Sequence, residues 1–178
     1  MTIKTEKTVS ICNQVAQIYA WLDENIKNLD LNCSACGKCC NFDSFGHKLF
    51  ITTPELLYFY ENVKPLRKMT GQSCPYLEDG TPPHQFTLRQ TNLKESLKLN
   101  RSASKIFSQS ANWCGGKCTA RNFRFAACRI FFCKADIEKI NKLSEQTIEK
   151  FKALCDEFDL PYRYVDLATA LNKFDLSF

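Results

Sequence analysis

The 178-residue chain contains no apolar run approaching the roughly 18 residues needed to span a bilayer, so no membrane-spanning segment is expected. Its opening residues, Met1-Thr2-Ile3-Lys4-Thr5-Glu6-Lys7, carry charge with no apolar h-region behind them, so no secretory signal is expected either. Internal repeats, low-complexity stretches and an obvious linker are absent. There is no Gly-rich phosphate loop, no His-Glu-x2-His helix and no Ser/His/Asp constellation. That removes the familiar nucleotide, zinc-protease and serine-hydrolase routes and leaves open whether the protein is an enzyme. The chain has 2 histidines, His47 and His84, and neither stands at knuckle spacing from a cysteine.

What the chain does have is 11 cysteines and 14 phenylalanines. The length suffices for one domain with a real apolar core, so folding need not rest on cross-links as it does in small disulfide scaffolds. The expected compartment is the cytoplasm, where thiols stay reduced and cysteines in such number read as ligands before disulfides. The formal charge of +5 counts each cysteine as neutral. Metal-bound thiolates are only partly offset by their metal, so the basic excess reads first as local compensation around an anionic site. A nucleic-acid footprint is the weaker reading of the same charge.

Apolar residues Val15, Ile18, Leu22, Ile26 and Leu29 recur at helical spacing within residues 9–29 and predict a helix with one buried face. A short apolar run follows at Leu49-Phe50-Ile51. Thr53 offers an N-cap, with Pro54 at the first helical position and Glu55 in the first turn, for a helix through Leu56, Leu57, Phe59 and Tyr60 that ends before Pro65. Residues 71–83 read as loop with Cys74-Pro75 and the Asp79-Gly80 turn, and residues 86–105 as polar and Lys/Arg-rich. Asp136 is expected to cap an amphipathic helix over residues 136–159, with apolar face Ile137, Ile140, Leu143, Ile148, Phe151, Leu154 and Phe158. Pro161 ends it, and residues 162–165 suit one short strand. The expected fold is a mainly α, small single domain of helices around irregular cysteine-rich loops, with few or no strands.

Two intervening residues let a turn place two sulfurs on one ion. Cys33-Ser34-Ala35-Cys36-Gly37-Lys38-Cys39-Cys40 gives two overlapping C-x2-C steps and a vicinal cysteine, and Gly37 supplies the positive-φ freedom such a turn needs. The same spacing matches three corners of a ferredoxin-type [4Fe–4S] site, for which Cys74-Pro75 is a distant fourth candidate. A second group is Cys114, Cys118, Cys128 and Cys133, enough sulfurs to complete one tetrahedral zinc. One shared site and two adjacent sites both remain open, although vicinal Cys39 and Cys40 point apart and favour two. Cys12 and Cys155 fall in helical patterns and read as small core residues.

The chain resembles the YkgJ-like cysteine-cluster family, described as a zinc- or iron-chelating domain. The resemblance lies in Cys36-Gly37-Lys38-Cys39-Cys40, Thr53-Pro54-Glu55, Cys74-Pro75-Tyr76-Leu77, and Cys118 followed by Cys128-Arg129-Ile130-Phe131-Phe132-Cys133, with Arg124 at the family's arginine. It covers residues 33–133. The chain departs from the family pattern at Ala120-Arg121 and Phe125, and by an insertion over residues 80–112. The resemblance implies Cys33, Cys36, Cys39, Cys40, Cys74, Cys118, Cys128 and Cys133 as ligands of an iron–sulfur cluster or Zn2+, and is silent on Cys114.

The leading function is therefore a cysteine-ligated metal-binding protein. The first alternative is an iron–sulfur redox enzyme, with Arg124, Arg129, Phe123, Phe125, Phe131 and Phe132 around the cluster, or a methyl-transfer enzyme, which the resemblance alone implies. Against it, the phenylalanines read as core and the arginines as charge balance. The second is a zinc-dependent nucleic-acid-binding module, motivated by Lys94, Lys98, Arg101 and Lys105.

Overall fold

The structure, a computed structural model, describes residues 6–29, 37–42, 46–78, 117–131 and 136–173. The insertion, Cys33, Cys36, Cys114, Cys133, Phe132 and His84 lie outside the described residues, as do Lys94, Lys98, Arg101 and Lys105. Five helices are described: α1 (Glu6–Lys27), α2 (Thr53–Asn62), α3 (Ala126–Ile130), α4 (Ile137–Glu157) and α5 (Leu167–Lys173). Four short strands accompany them: β1 (Phe50–Thr52), β2 (Leu77–Glu78), β3 (Lys117–Cys118) and β4 (Tyr164–Asp166). The fold is mainly α, as the sequence predicts. No helix among the described residues is long and apolar enough to cross a membrane.

Helix α1 buries Ile11, Val15, Tyr19 and Leu22, a single stripe at three- and four-residue steps. That stripe meets Leu57 of α2, Ala126 and Ile130 of α3, and Leu143, Phe151 and Leu154 of α4 in one apolar cluster. A second cluster joins Phe42, Leu49, Ile51, Leu56, Phe59, Tyr76, Phe125, Leu167 and Leu171, with Cys74, Cys118 and Cys128 packed against it. Helix α2 is the wall between them: Leu57 faces the first and Leu56 and Phe59 the second. The Phe59 ring stacks on Phe125 at 4.7 Å and meets Tyr76 edge-on at 5.0 Å. The cysteines therefore rest on a packed aromatic floor.

The cap of α2 is Thr52, not the predicted Thr53. The Glu55 carboxylate reaches back to the Thr52 N–H (3.0 Å) and also accepts from its hydroxyl (2.7 Å), a capping-box arrangement that fixes the start one residue earlier. Thr53 is occupied elsewhere, its hydroxyl donating to the Pro161 carbonyl at 2.8 Å. Asp136 caps α4 as expected, accepting from the Glu138 N–H at 3.0 Å. The buried face of α4 is Leu143, Thr147, Phe151, Leu154 and Cys155. Ile137, predicted on that face, is 74% exposed because it lies in the first turn, before the helix meets its partners. Thr147 is buried in spite of its hydroxyl because that group donates to the Leu143 carbonyl at 2.7 Å.

Strand β1 pairs antiparallel with β4, Ile51 opposite Val165, so the apolar run at 49–51 and the predicted C-terminal strand are partners. Strand β2 pairs antiparallel with β3, Leu77 opposite Cys118. Both ladders are short, and they pin the loops to the helices.

Candidate metal centre

The 3-10 turn Lys38–Cys40 is entered through Gly37 at φ +73°, the left-handed conformation the sequence assigned to it. The Cys40 N–H donates to the Gly37 carbonyl at 2.9 Å and closes the turn. Beyond it, residues 40–42 run alongside 72–74. The Cys74 N–H donates to the Cys40 carbonyl at 2.8 Å, Phe42 N–H to Gln72 at 2.9 Å, and Asn41 bridges Ser73. This ladder carries Cys74 to the vicinal pair. Leu77 then donates to the Cys74 carbonyl at 3.0 Å, turning the chain into β2, whose pairing with β3 delivers Cys118. Helix α3 brings Cys128.

Cys39, Cys40, Cys74, Cys118 and Cys128 thus gather from four stretches of chain, close enough to act on the protonation of Cys39, Cys40, Cys74 and Cys128. The Cys40 thiol donates to the Cys39 sulfur and pulls the Cys39 pKa from 9.0 down to about 6, helped by its own backbone N–H and by Arg124 against the opposing effect of burial. The same hydrogen bond holds Cys40 protonated, reinforced by burial and by Cys39, Cys74 and Cys128. Burial first, then Cys118 and Cys39, push Cys74 up to about 11, although the Tyr76 and Leu77 N–H groups donate to its sulfur and work the other way. Cys128 is raised by burial and by Cys74, Cys118 and Cys39, with Arg124 opposing. Thiols crowded in this way resist sharing negative charge, and a bound cation relieves the conflict.

The donor chemistry, several thiols with backbone N–H groups directed at sulfur, fits a thiophilic metal. Among the described residues, no group of three or more His, Cys, Asp or Glu side chains could hold a metal ion as placed. Three of the eight predicted ligands, Cys33, Cys36 and Cys133, lie outside those residues. The described cysteines from Cys39 to Cys155 are all free thiols.

The two arginines have separate roles. Arg124 faces the sulfurs, its guanidinium donating to the Arg121 carbonyl at 3.2 Å and reaching the Cys128 carbonyl at 3.5 Å. Arg129 is only 8% exposed. It donates to the Arg124 carbonyl at 2.8 Å, the Asn122 carbonyl at 2.9 Å and Asp23 at 2.6 Å, and lies 4.3 Å over the Tyr19 ring. Phe125 is core, and Phe131 stacks on His47, whose ring also meets Phe42 edge-on. Cys155 is buried as expected and Cys12 is half-buried on α1.

Tyr19 and Asp23 are not among the residues the sequence singles out, and Glu55 stands out there only as a first-turn acid and as part of the Thr53-Pro54-Glu55 element of the resemblance. Tyr19 and Asp23 stand four apart on α1, in line with Val15, and that spacing was the available signal. Glu55 is 3% exposed and accepts four hydrogen bonds: Thr52 N–H and Oγ1, Tyr19 Oη at 3.2 Å and Ala126 N–H at 2.7 Å. Burial raises its pKa, yet each of these partners is positioned as a donor, which is the environment of a carboxylate. The Thr52 and Ala126 N–H groups can only donate, and with both hydroxyls they favour the ionised carboxylate against the effect of burial.

Comparison of the chain with protein-family models, with curated proteins and with solved structures finds no match.

Proposed function

We propose that this protein is a cysteine-ligated metal-binding module that holds an iron–sulfur cluster or zinc through ligands drawn from Cys33, Cys36, Cys39, Cys40, Cys74, Cys118, Cys128 and Cys133. The observation that carries the proposal is the gathering of Cys39, Cys40, Cys74, Cys118 and Cys128 into one electrostatic neighbourhood from four stretches of chain. Apolar packing alone gives no reason to collect thiols whose charges oppose one another, as those around Cys40, Cys74 and Cys128 do. The likeness of the cysteine spacing to the YkgJ-like family points the same way. More thiols gather than one tetrahedral zinc takes, which favours a cluster or a multi-metal centre over a single ion. Bound metal would cross-link the loops and supply folding free energy. Free thiols in this number suit the reducing conditions of the cytoplasm.

The test is anaerobic purification followed by metal analysis and an absorption spectrum. The expected result is stoichiometric iron with sulfide, or zinc, lowered by Cys74→Ser and by Cys128→Ser. Protein that is metal-free as isolated, and that takes up neither zinc nor iron with sulfide on reconstitution, sinks the proposal.

A further inference from the structure

Helix α3 has five residues, too few to hold its shape in isolation. It nevertheless carries Cys128 between two fixed points. At its start the Ala126 N–H donates to Glu55 Oε1 at 2.7 Å. Near its end Arg129 binds Asp23, the Arg124 and Asn122 carbonyls, and the face of Tyr19. Tyr19 closes the circuit, since its hydroxyl donates to the same Glu55 oxygen that holds Ala126. The other Glu55 oxygen is held by Thr52 at the cap of α2. The ring of contacts runs Glu55, Ala126, Arg129, Tyr19 and back to Glu55, and Cys128 lies on the arc between Ala126 and Arg129.

We infer that Glu55 and Arg129 are positioning residues for the cysteine centre: with Tyr19 they clamp both ends of α3 and so fix where Cys128 presents its thiol. The inference rests on the reading of Cys128 as a ligand. It adds that α1, which contributes none of the eight proposed cysteine ligands, belongs to the machinery of the site through Tyr19 and Asp23. The chemistry of Glu55 makes the clamp specific. A carboxylate offers two acceptor sites per oxygen and here meets two donors on each. Glutamine of the same size turns an NH2 group toward either Ala126 N–H or Thr52 N–H, and neither backbone group can reverse its polarity. Aspartate, one methylene shorter, cannot span Thr52 and Ala126 together.

The test uses the full chain with Glu55→Gln, Tyr19→Phe and, as a destabilised control away from the clamp, Asp166→Ala, which removes the side chain held by Thr169 at the start of α5. Chelator competition measures metal affinity, circular dichroism measures helix content, and mass spectrometry follows alkylation of Cys128 in metal-free protein with Cys155 as internal reference. Glu55→Gln is expected to keep its helices, lose affinity by ~10–100-fold as disrupted support of ligands does, and expose Cys128 to alkylation ~10-fold faster. Asp166→Ala is expected to keep both affinity and Cys128 protection. Unchanged Cys128 reactivity in Glu55→Gln, or an equal loss of affinity in Asp166→Ala, overturns the clamp. If Glu55→Gln does not fold, Tyr19→Phe removes one donor and leaves the ring under the guanidinium; Cys128 that reacts no faster there also overturns it. Wild-type protein that binds no metal defeats the metal reading instead, and the clamp then stands or falls on Cys128 alkylation.

Discussion

In metal-free protein the Cys39 sulfur should titrate far below an ordinary thiol, and the neighbour responsible can be removed. Its pKa falls from 9.0 to about 6, chiefly through the hydrogen bond from Cys40. At neutral pH that change raises the thiolate fraction from ~1% to ~90%. Reactivity rises much less, because a less basic thiolate is a poorer nucleophile. With a Brønsted slope of ~0.45, three units of basicity remove a factor of ~20, leaving a net gain of only ~4-fold toward a disulfide reagent. A rate at one pH is therefore a blunt test, and the midpoint of a pH series is the sharp one. Reduced, metal-free protein is treated with a small disulfide reagent across that series, and the mixed disulfide at Cys39 is counted by mass spectrometry. The expected midpoint is about 6. Cys40→Ala should move it back toward 9.0, whereas Cys40→Ser keeps a donor and most of the depression. A wild-type midpoint near that of a free cysteine, or no response to Cys40→Ala, refutes the reasoning. The linkage to stability runs in opposite directions for two of these thiols. Depressed Cys39 contributes stability that is complete above 9.0 and lost as pH falls through about 6. Raised Cys74 contributes stability that is complete below 9.0 and lost as pH rises through about 11.

Two further substitutions test the scaffold. Asp159 follows α4 at φ +49°, exposed at the negative end of the helix dipole, so Asp159→Gly relieves both the left-handed backbone and the misplaced charge. Thermal unfolding should show ~1 kcal/mol of added stability after the extra unfolded-state entropy of glycine is subtracted, and a net loss contradicts the argument. Asp166 accepts from the Thr169 N–H at 3.0 Å and its hydroxyl at 2.6 Å at the start of α5, bonds that hold its carboxyl below 3.8. Asp166→Ala should cost ~1 kcal/mol at neutral pH by chemical denaturation. The gap to wild type should close in acid, as pH falls through the depressed value and the carboxylate is protonated; a pH-independent gap refutes the cap.

The long helices were legible because their apolar spacing alone decides which face is buried, as at Val15 and Leu22 or at Leu143, Phe151 and Leu154. The start of α2 lies one residue before the position predicted from Thr53, although the signal for it is in the sequence. Thr52 stands three before Glu55, the capping-box distance, while Thr53 stands two before it. Ile148 looked a better core residue than Thr147 until the Thr147 hydroxyl found a carbonyl within its own helix. At the site, the sequence singles out Cys39, Cys40, Cys118 and Cys128 by spacing and Cys74 by the proline that follows it. It could not reveal the ladder between residues 40–42 and 72–74, because that pairing uses backbone groups with no apolar alternation to announce it. Nor could it separate the arginines. Arg129 adjoins Cys128 in sequence, but successive residues on a helix point ~100° apart, so the cation beside the cysteine turns away from the thiols. Arg124, four residues before Cys128, faces them instead.

The pairing of β1 with β4 also dictates an order of events when the chain is made. Thr53 and Arg163 are hydrogen-bonded across a separation of 110 positions, and Leu49 accepts from Leu167 at 2.8 Å. Helix α1 and most cysteines leave the ribosome long before that closure can form, at ~5–20 residues per second. For those seconds the thiols are without the C-terminal segment that completes the core beneath them. A nascent chain of this design is therefore most vulnerable to oxidation during synthesis, and its yield should depend on the redox state of the host more steeply than the finished protein's stability does.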